Sequence, residues 1–245
     1  PVISGNDAKI TLDAYCDGEV EFEIDDGNEV VAKAKVSGKN PSVVLEIKDV
    51  HLWDGVEDPF LYNASAKLIV DGQVADEVKS RFGCRTFEID AQKGFILNGR
   101  PYPLRGVSRH QDRPHIGNAL LPEHHKEDMD LICEMGANTI RLAHYQHAQY
   151  FYDLCDERGI IVWAEIPYIS KHLEKGVENT ISQMKELIFQ NYNHPSIVVW
   201  GVSNEITIST KDKKDMLDNH HVLNDLCHKM DPTRLTTLAC YAMCG

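Results

Sequence analysis

The run Asn191-Tyr-Asn-His-Pro-Ser-Ile-Val-Val-Trp-Gly-Val-Ser-Asn-Glu205 ends in adjacent amide and carboxyl side chains, delivered by an apolar strand. A carboxyl group at a strand tip is placed to give or take a proton, and an amide beside it can contact a substrate. Three earlier apolar strands end in the same manner: Arg109 and His110 follow one, Arg141 and His144 surround the next, and Glu165 closes a third. Each residue also has a plainer role open to it. Glu205 could serve as the first-turn acid of the following segment; Asn204 could be a turn residue; His110 and His144 could be structural; Glu165 could hold Arg141 rather than a ligand.

The elements that must carry these groups read as two different patterns. From Ala8 to about Phe87, β-rich runs (Lys9 to Tyr15, Val20 to Ile24, Val30 to Val36, Val43 to Ile47, Tyr62 to Val70, Val74 to Phe82) alternate with turn pairs such as Asp26-Gly27 and Asp71-Gly72, which predicts a small antiparallel sandwich. Alternation in Glu19 to Asp25 places Val20, Phe22 and Ile24 on one face.

After Phe87 the period changes. A hairpin signal at Asn98-Gly99 precedes the strand Leu104 to Val107, then Pro122 opens a helix that Gly136 ends. Strand Thr139 to Leu142, helix Ala148 to Arg158 capped by Gly159, strand Ile160 to Ala164, a helix through Ile181, Met184 and Ile188, strand Ile197 to Val202, helix Asp212 to Met230 and strand Leu235 to Cys240 follow. Unalternating strands, each followed by a helix, predict a parallel sheet covered on both faces. An open doubly wound sheet and part of a (β/α)8 barrel are the two candidates. Polar groups gathered at successive strand ends favour the barrel. No G-x-G-x-x-G or Walker loop follows a strand, which removes the main support for nucleotide binding, and no cofactor is expected.

Composition narrows the rest. A net charge of −13 and scattered Lys and Arg argue against a nucleic-acid partner. Seven cysteines (Cys16, Cys84, Cys133, Cys155, Cys227, Cys240, Cys244) with no C-x-x-C spacing argue against a disulfide framework or a zinc site. No window offers the ~18 apolar residues of a membrane span, so no membrane partner is expected. The N-terminus carries no basic-then-apolar targeting segment, and a cytoplasmic location is slightly favoured over a secreted or periplasmic one. His124-His125 and His220-His221 are adjacent pairs on helices, so their side chains diverge by roughly 100°. His144-x-x-His147 lacks a third ligand, and no metal site is expected.

Longer motifs resemble a known family. Leu52-Trp53, Asp58-Pro-Phe-Leu-Tyr62 and Arg81-Phe-Gly-Cys-Arg85 look like the end of the immunoglobulin-like domain of the family-two glycoside hydrolases, the group of β-galactosidases and β-glucuronidases. Arg105-Gly-Val-Ser-Arg-His110 resembles the entry into that family's barrel. Asn138-Thr-Ile-Arg-Leu-Ala-His-Tyr145 with Asp156-Glu-Arg-Gly-Ile-Ile-Val-Trp163, and Asn193 to Glu205, resemble its two signatures. The resemblance implies an immunoglobulin-like sandwich (1–87) followed by the N-terminal part of a (β/α)8 barrel (88–245).

It also implies retaining hydrolysis, with Glu205 as general acid and then base, Asn204 near the sugar 2-hydroxyl, His110 and His144 lining the sugar site, and Arg141 and Glu165 in its polar shell. The nucleophilic carboxylate has no match here and is expected downstream. An open barrel fragment is expected to self-associate or to bind the missing part of the barrel. Leu142 and Gln146 depart from the family pattern, and Ala164-Glu-Ile-Pro-Tyr-Ile-Ser lacks the family's magnesium ligands. Arg109-His-Gln-Asp112 reads as the galactosidase branch, so terminal β-galactosides are the expected substrates, with β-glucuronides second and a non-catalytic carbohydrate-binding fragment as the alternative of another class.

Overall fold

The computed structural model describes residues 1–241, so Cys244 and its neighbours lie outside the described residues. By packing, the chain forms two compact units: Pro1–Pro103 with Asn193–Pro195, and Leu104–Tyr192 with the residues from Ser196 onward.

The first unit is built from β1 (Val2–Ser4), β2 (Asp7–Asp13), β3 (Asp17–Asp25), β4 (Val30–Lys39), β5 (Ser42–Ile47), β6 (Tyr62–Val70) and β7 (Gln73–Phe82). They form two antiparallel sheets, ordered β1-β2-β5 and β4-β3-β6-β7. One core joins them: Ile10 from β2, Leu45 and Ile47 from β5, and Val20, Phe22 and Ile24 from β3 are all buried, as the alternation of β3 requires. Asp71 and Gly72 adopt φ of 52° and 77° between the paired Val70 and Gln73, the positive-φ turn that suits the right-handed twist of a hairpin. Asn98 and Gly99, at 50° and 77°, do the same between β9 (Gly94–Leu97) and β10 (Arg100–Pro101), which pair with β8 (Phe87–Asp90) in a third small sheet. This hairpin counts with the first unit by packing, whereas the sequence reading places it with the second.

The second unit alternates β11 (Gly106–Arg109), α1 (Pro122–Glu134), β12 (Thr139–Leu142), α2 (Gln149–Arg158), β13 (Ile161–Glu165), α3 (Val177–Asn191), β14 (Ile197–Asn204), α4 (Lys213–Met230) and β15 (Leu235–Ala239). Pro122 takes the first helical position of α1, where its missing N–H costs nothing. Gly159 ends α2 at φ 69°, a left-handed cap that a β-carbon disfavours. Asp212 caps α4 by accepting from the N–H groups of Lys214 and Asp215, both at 3.0 Å.

All five strands are parallel and lie in chain order, β11-β12-β13-β14-β15. An open doubly wound sheet reverses direction at a switch point. This one adds each strand to the same edge, as the wall of a barrel does. Residues of one parity, among them Ile140, Leu142, Val162, Ala164, Trp200 and Val202, share a single core with Met129, Phe151, Leu187 and Leu223 from the four helices. The helices therefore cover one face, which corrects the expectation of cover on both. The other face carries Arg141, Trp163 and Glu165. A second correction concerns β11, which runs to Arg109 rather than stopping at Val107, so Arg109 is a buried strand residue. Among the described residues the sheet does not close on itself, and β11 and β15 are its edges. No helix among the described residues is long and apolar enough to cross a membrane.

Candidate active site

The register of β12, β13 and β14 assembles the site. Arg141 pairs with Trp163, and Glu165, two residues further on the same face, pairs with Gly201. The Arg141 guanidinium lies 4.6 Å from the centre of the Trp163 ring and donates through Nε to Glu165 Oε2 at 3.0 Å and through a terminal nitrogen to Oε1 at 3.1 Å. The same terminal nitrogen donates to Asn204 Oδ1 at 2.6 Å. His144 Nδ1 lies 2.7 Å from Glu165 Oε1 and 3.3 Å from the Arg141 terminal nitrogen. An ionised carboxylate only accepts, so the shorter contact places the proton on Nδ1, donated to Glu165.

Glu165 is fully buried and both its oxygens are taken. A buried carboxylate tolerates this position because a cation and a second donor satisfy it. Of the two roles the sequence left open for Glu165, its surroundings match that of holding Arg141. Nor does it offer oxygens for a divalent cation: the donors around it are a guanidinium and an imidazole, which repel or compete with a metal.

Asn204 is buried, and its Oδ1 faces Arg141, which fixes the amide so that Nδ2 remains as the donor. Its backbone is held as well: its N–H donates to Tyr168 O at 2.9 Å, and its carbonyl accepts from the Ser170 N–H at 3.0 Å. Glu205 follows with φ 48°, a left-handed conformation uncommon for a residue with a side chain. Its N–H donates to Ala239 O on β15 at 2.8 Å, and its carbonyl accepts from Ile208 at 3.1 Å. Backbone of this kind persists where neighbours over-determine it, and it concentrates at functional positions. The Glu205 side chain is partly exposed, in contrast to Glu165.

His110 is exposed at the end of β11, and its ring meets His144 edge-on, with centroids 5.0 Å apart. Arg141, His144, Glu165 and Asn204 thus form one connected hydrogen-bonded group, His110 touches it through His144, and Glu205 adjoins it through Asn204. The Trp163 ring supports Arg141, and its indole N–H is buried without a partner among the described residues. His147 does not face His144's partners: it is buried against Arg109. His220 is bound to Ser203 Oγ at 2.9 Å.

The chain is similar to known proteins over most of its length. Residues 3–85 match the family model "Glycosyl hydrolases family 2", and residues 87–243 match "Glycosyl hydrolases family 2, TIM barrel domain". A β-glucuronidase of Bacteroides fragilis is 45% identical across 95% of this chain, which covers 36% of that protein. A β-galactosidase of Thermoanaerobacter pseudethanolicus is 35% identical across 79% of the chain, covering 26% of it. A crystal structure of an FMN-binding β-glucuronidase from Facaelibacterium prausnitzii L2-6 superposes with a TM-score of 0.93 at 42% identity, over 99% of this chain and 39% of that one. The chain therefore spans between about a quarter and two fifths of the length of these relatives, and it belongs to glycosyl hydrolase family 2.

Proposed function

We propose that the protein containing this chain is a retaining glycosidase of terminal β-linked sugars, with Glu205 as its general acid and base. The observation that carries the reading is the pairing of a partly exposed Glu205, in a left-handed conformation, with an Asn204 whose amide donor is set by Arg141. In a retaining mechanism one carboxyl group protonates the leaving oxygen while a second attacks the anomeric carbon about 5 to 5.5 Å away; the first then deprotonates water. Glu205 supplies the proton and later removes one. Asn204 donates to a sugar hydroxyl, His110 and His144 line the sugar, and Arg141 with Glu165 keeps Asn204 and His144 oriented. Glu165 cannot act as the second carboxylate while its oxygens are committed, so in this reading the nucleophile lies outside these 245 residues.

The sugar has two readings. Arg109-His-Gln-Asp112 favours a β-galactoside, whereas the relative with the higher identity and coverage is named a β-glucuronidase. We take a β-glucuronide as first choice and a β-galactoside as second, and parallel assays of the two aryl glycosides on the complete protein separate them. The acid/base role is tested by Glu205→Gln in the complete protein. Hydrolysis of glycosides with poor leaving groups is expected to be lost, while the first step on activated aryl glycosides, which needs little protonation, survives and the glycosyl-enzyme accumulates. Undiminished kcat on a disaccharide would remove Glu205 from the role.

A further inference from the structure

A second cluster of buried polar groups adjoins the site and has no part in the chemistry above. The Arg109 side chain, 5% exposed, donates through Nε and one terminal nitrogen to Asp128 Oδ2 on α1, at 2.9 and 2.7 Å. That nitrogen also reaches His125 Nδ1 at 3.1 Å, and the other terminal nitrogen reaches His147 Nδ1 at 3.0 Å. The guanidinium lies 3.9 Å from the centre of the Phe151 ring of α2. His147 Nε2 in turn meets Ala143 O at 3.1 Å.

These contacts converge on one residue. Ala143 immediately precedes His144; its N–H donates to the Arg109 carbonyl at 3.0 Å, and its own carbonyl accepts from His147. Arg109 thus holds Ala143 twice, by its main chain and, through His147, by its side chain. It also immediately precedes His110. We propose that Arg109 and His147 are positioning residues that set His144 against Glu165 and His110 against His144, so that a single buried guanidinium orients both histidines of the sugar site. The inference rests on the glycosidase reading for its catalytic consequence, although not for its geometry.

The chemistry of His147 suits the task. A backbone carbonyl can only accept, so Nε2 carries the proton; Arg109 can only donate, so Nδ1 carries none. The ring is therefore neutral and of one tautomer. Burial, together with the adjacent Arg109 charge, holds its pKa down at about 3, against the opposing pull of the Ala143 carbonyl. Both ring nitrogens are occupied, and neither is open to a metal or a substrate. Asp128 balances the buried Arg109 charge: burial alone would raise its pKa, but the hydrogen bonds from Arg109 and Arg113 lower it overall. The guanidinium is thus fixed by α1 and α2, and it projects that fixation onto two strand-end loops.

The test is a double-mutant cycle in the complete protein, with KM and kcat read separately. His147→Leu keeps bulk and removes both hydrogen bonds, and it is expected to lower kcat/KM about tenfold or more, mostly through KM, because a slightly misplaced contact weakens sugar binding. His147→Gln keeps a donor and an acceptor and is expected to recover activity to within about threefold of the native protein. In a His144→Ala background, His147→Leu should add less than about twofold, since its route to the substrate is gone. A full, multiplicative loss in that background would overturn the inference, as would a kcat/KM for His147→Leu within twofold of native. Should the leucine variant not fold, His147→Asn, which is too short to span Arg109 and Ala143, enters the same cycle. A crystal structure of the same variant decides the geometry without activity: His144 Nδ1 should leave hydrogen-bonding range of Glu165, and retention of the 2.7 Å contact would refute the proposal. If the native complete protein cleaves no β-glycoside, the glycosidase reading fails while this structural comparison still stands.

Discussion

Gly201→Ala is the sharpest perturbation of the site that leaves every named polar residue in place. Gly201 pairs with Glu165 across the β13–β14 ladder, and a β-carbon there would fall on the Trp163 indole nitrogen and within 2.5 Å of Glu165 Cβ. Carbon atoms pack at about 3.5–4.0 Å, so a shift of roughly 1 Å is required. The atom that must move is fixed directly to a paired strand backbone, and no rotamer change relieves it. Overpacking of this kind costs about 1–3 kcal/mol. If Glu165 moves enough to lose a hydrogen bond to Arg141 or His144, a further loss of about 1.5–3 kcal/mol follows, as for other bonds to charged groups. At roughly 2–4 °C per kcal/mol for a unit of this size, the melting transition of the second unit should fall by about 10 °C. Calorimetry on the complete protein reads this shift, and steady-state kinetics should show kcat/KM reduced about a hundredfold as Arg141, Asn204 and His144 lose their common anchor. A transition within 2 °C of native together with native kinetics would show that the sheet absorbs the methyl group, and that the close approach of Trp163 and Glu165 is not what the glycine serves.

The remaining expectations concern stability and association. His147 stays neutral in the folded chain to about pH 3, while the unfolded chain protonates it near its ordinary value of about 6.5. Its contribution is therefore complete above about pH 6.5 and is lost as pH falls from there toward 3, at up to ~1.4 kcal/mol per unit; His125 and His220, also held low by burial first, act in the same direction. Unfolding free energies from urea titrations at pH 7.5 and 5 should thus differ by about 2 kcal/mol less in His147→Gln than in the native protein, and an unchanged difference would contradict a neutral buried ring. Phe22→Ala, at a position 1% exposed in the sandwich core, should cost about 3–5 kcal/mol and shift only the first unit's calorimetric transition. The isolated chain should scatter light as an associated species at micromolar concentration, because β11 and β15 are unpaired edges of a parallel sheet and Leu235 and Leu238 on β15 are 42% and 39% exposed. A stable monomer would count against that reading.

Element order and type were legible because local chemistry dictates them. Period-two alternation in β3, the Asp71-Gly72 and Asn98-Gly99 turns, Pro122 at a helix start and Gly159 at a helix end each follow from short-range sterics and the placement of apolar side chains. The positions at or just beyond the strand ends, including Asn204, Glu205, Arg141, His144 and Glu165, were legible for the same reason, since a residue at a strand end is fixed by the strand. What each side chain does there depends on register and on groups distant in sequence. Arg141, Glu165 and Asn204 lie on three strands, and only the pairing Arg141 with Trp163 and Glu165 with Gly201 shows that they share one guanidinium. Likewise His125 and Asp128 are spaced to share a helix face, yet nothing local marks Arg109 as the charge they meet or Ala143 as what His147 holds. Strand identity is a short-range property of the chain; the partner of a buried charge is set by which surfaces pack, because burial makes an unpaired charge too costly to keep and leaves the assembled fold to choose the pair.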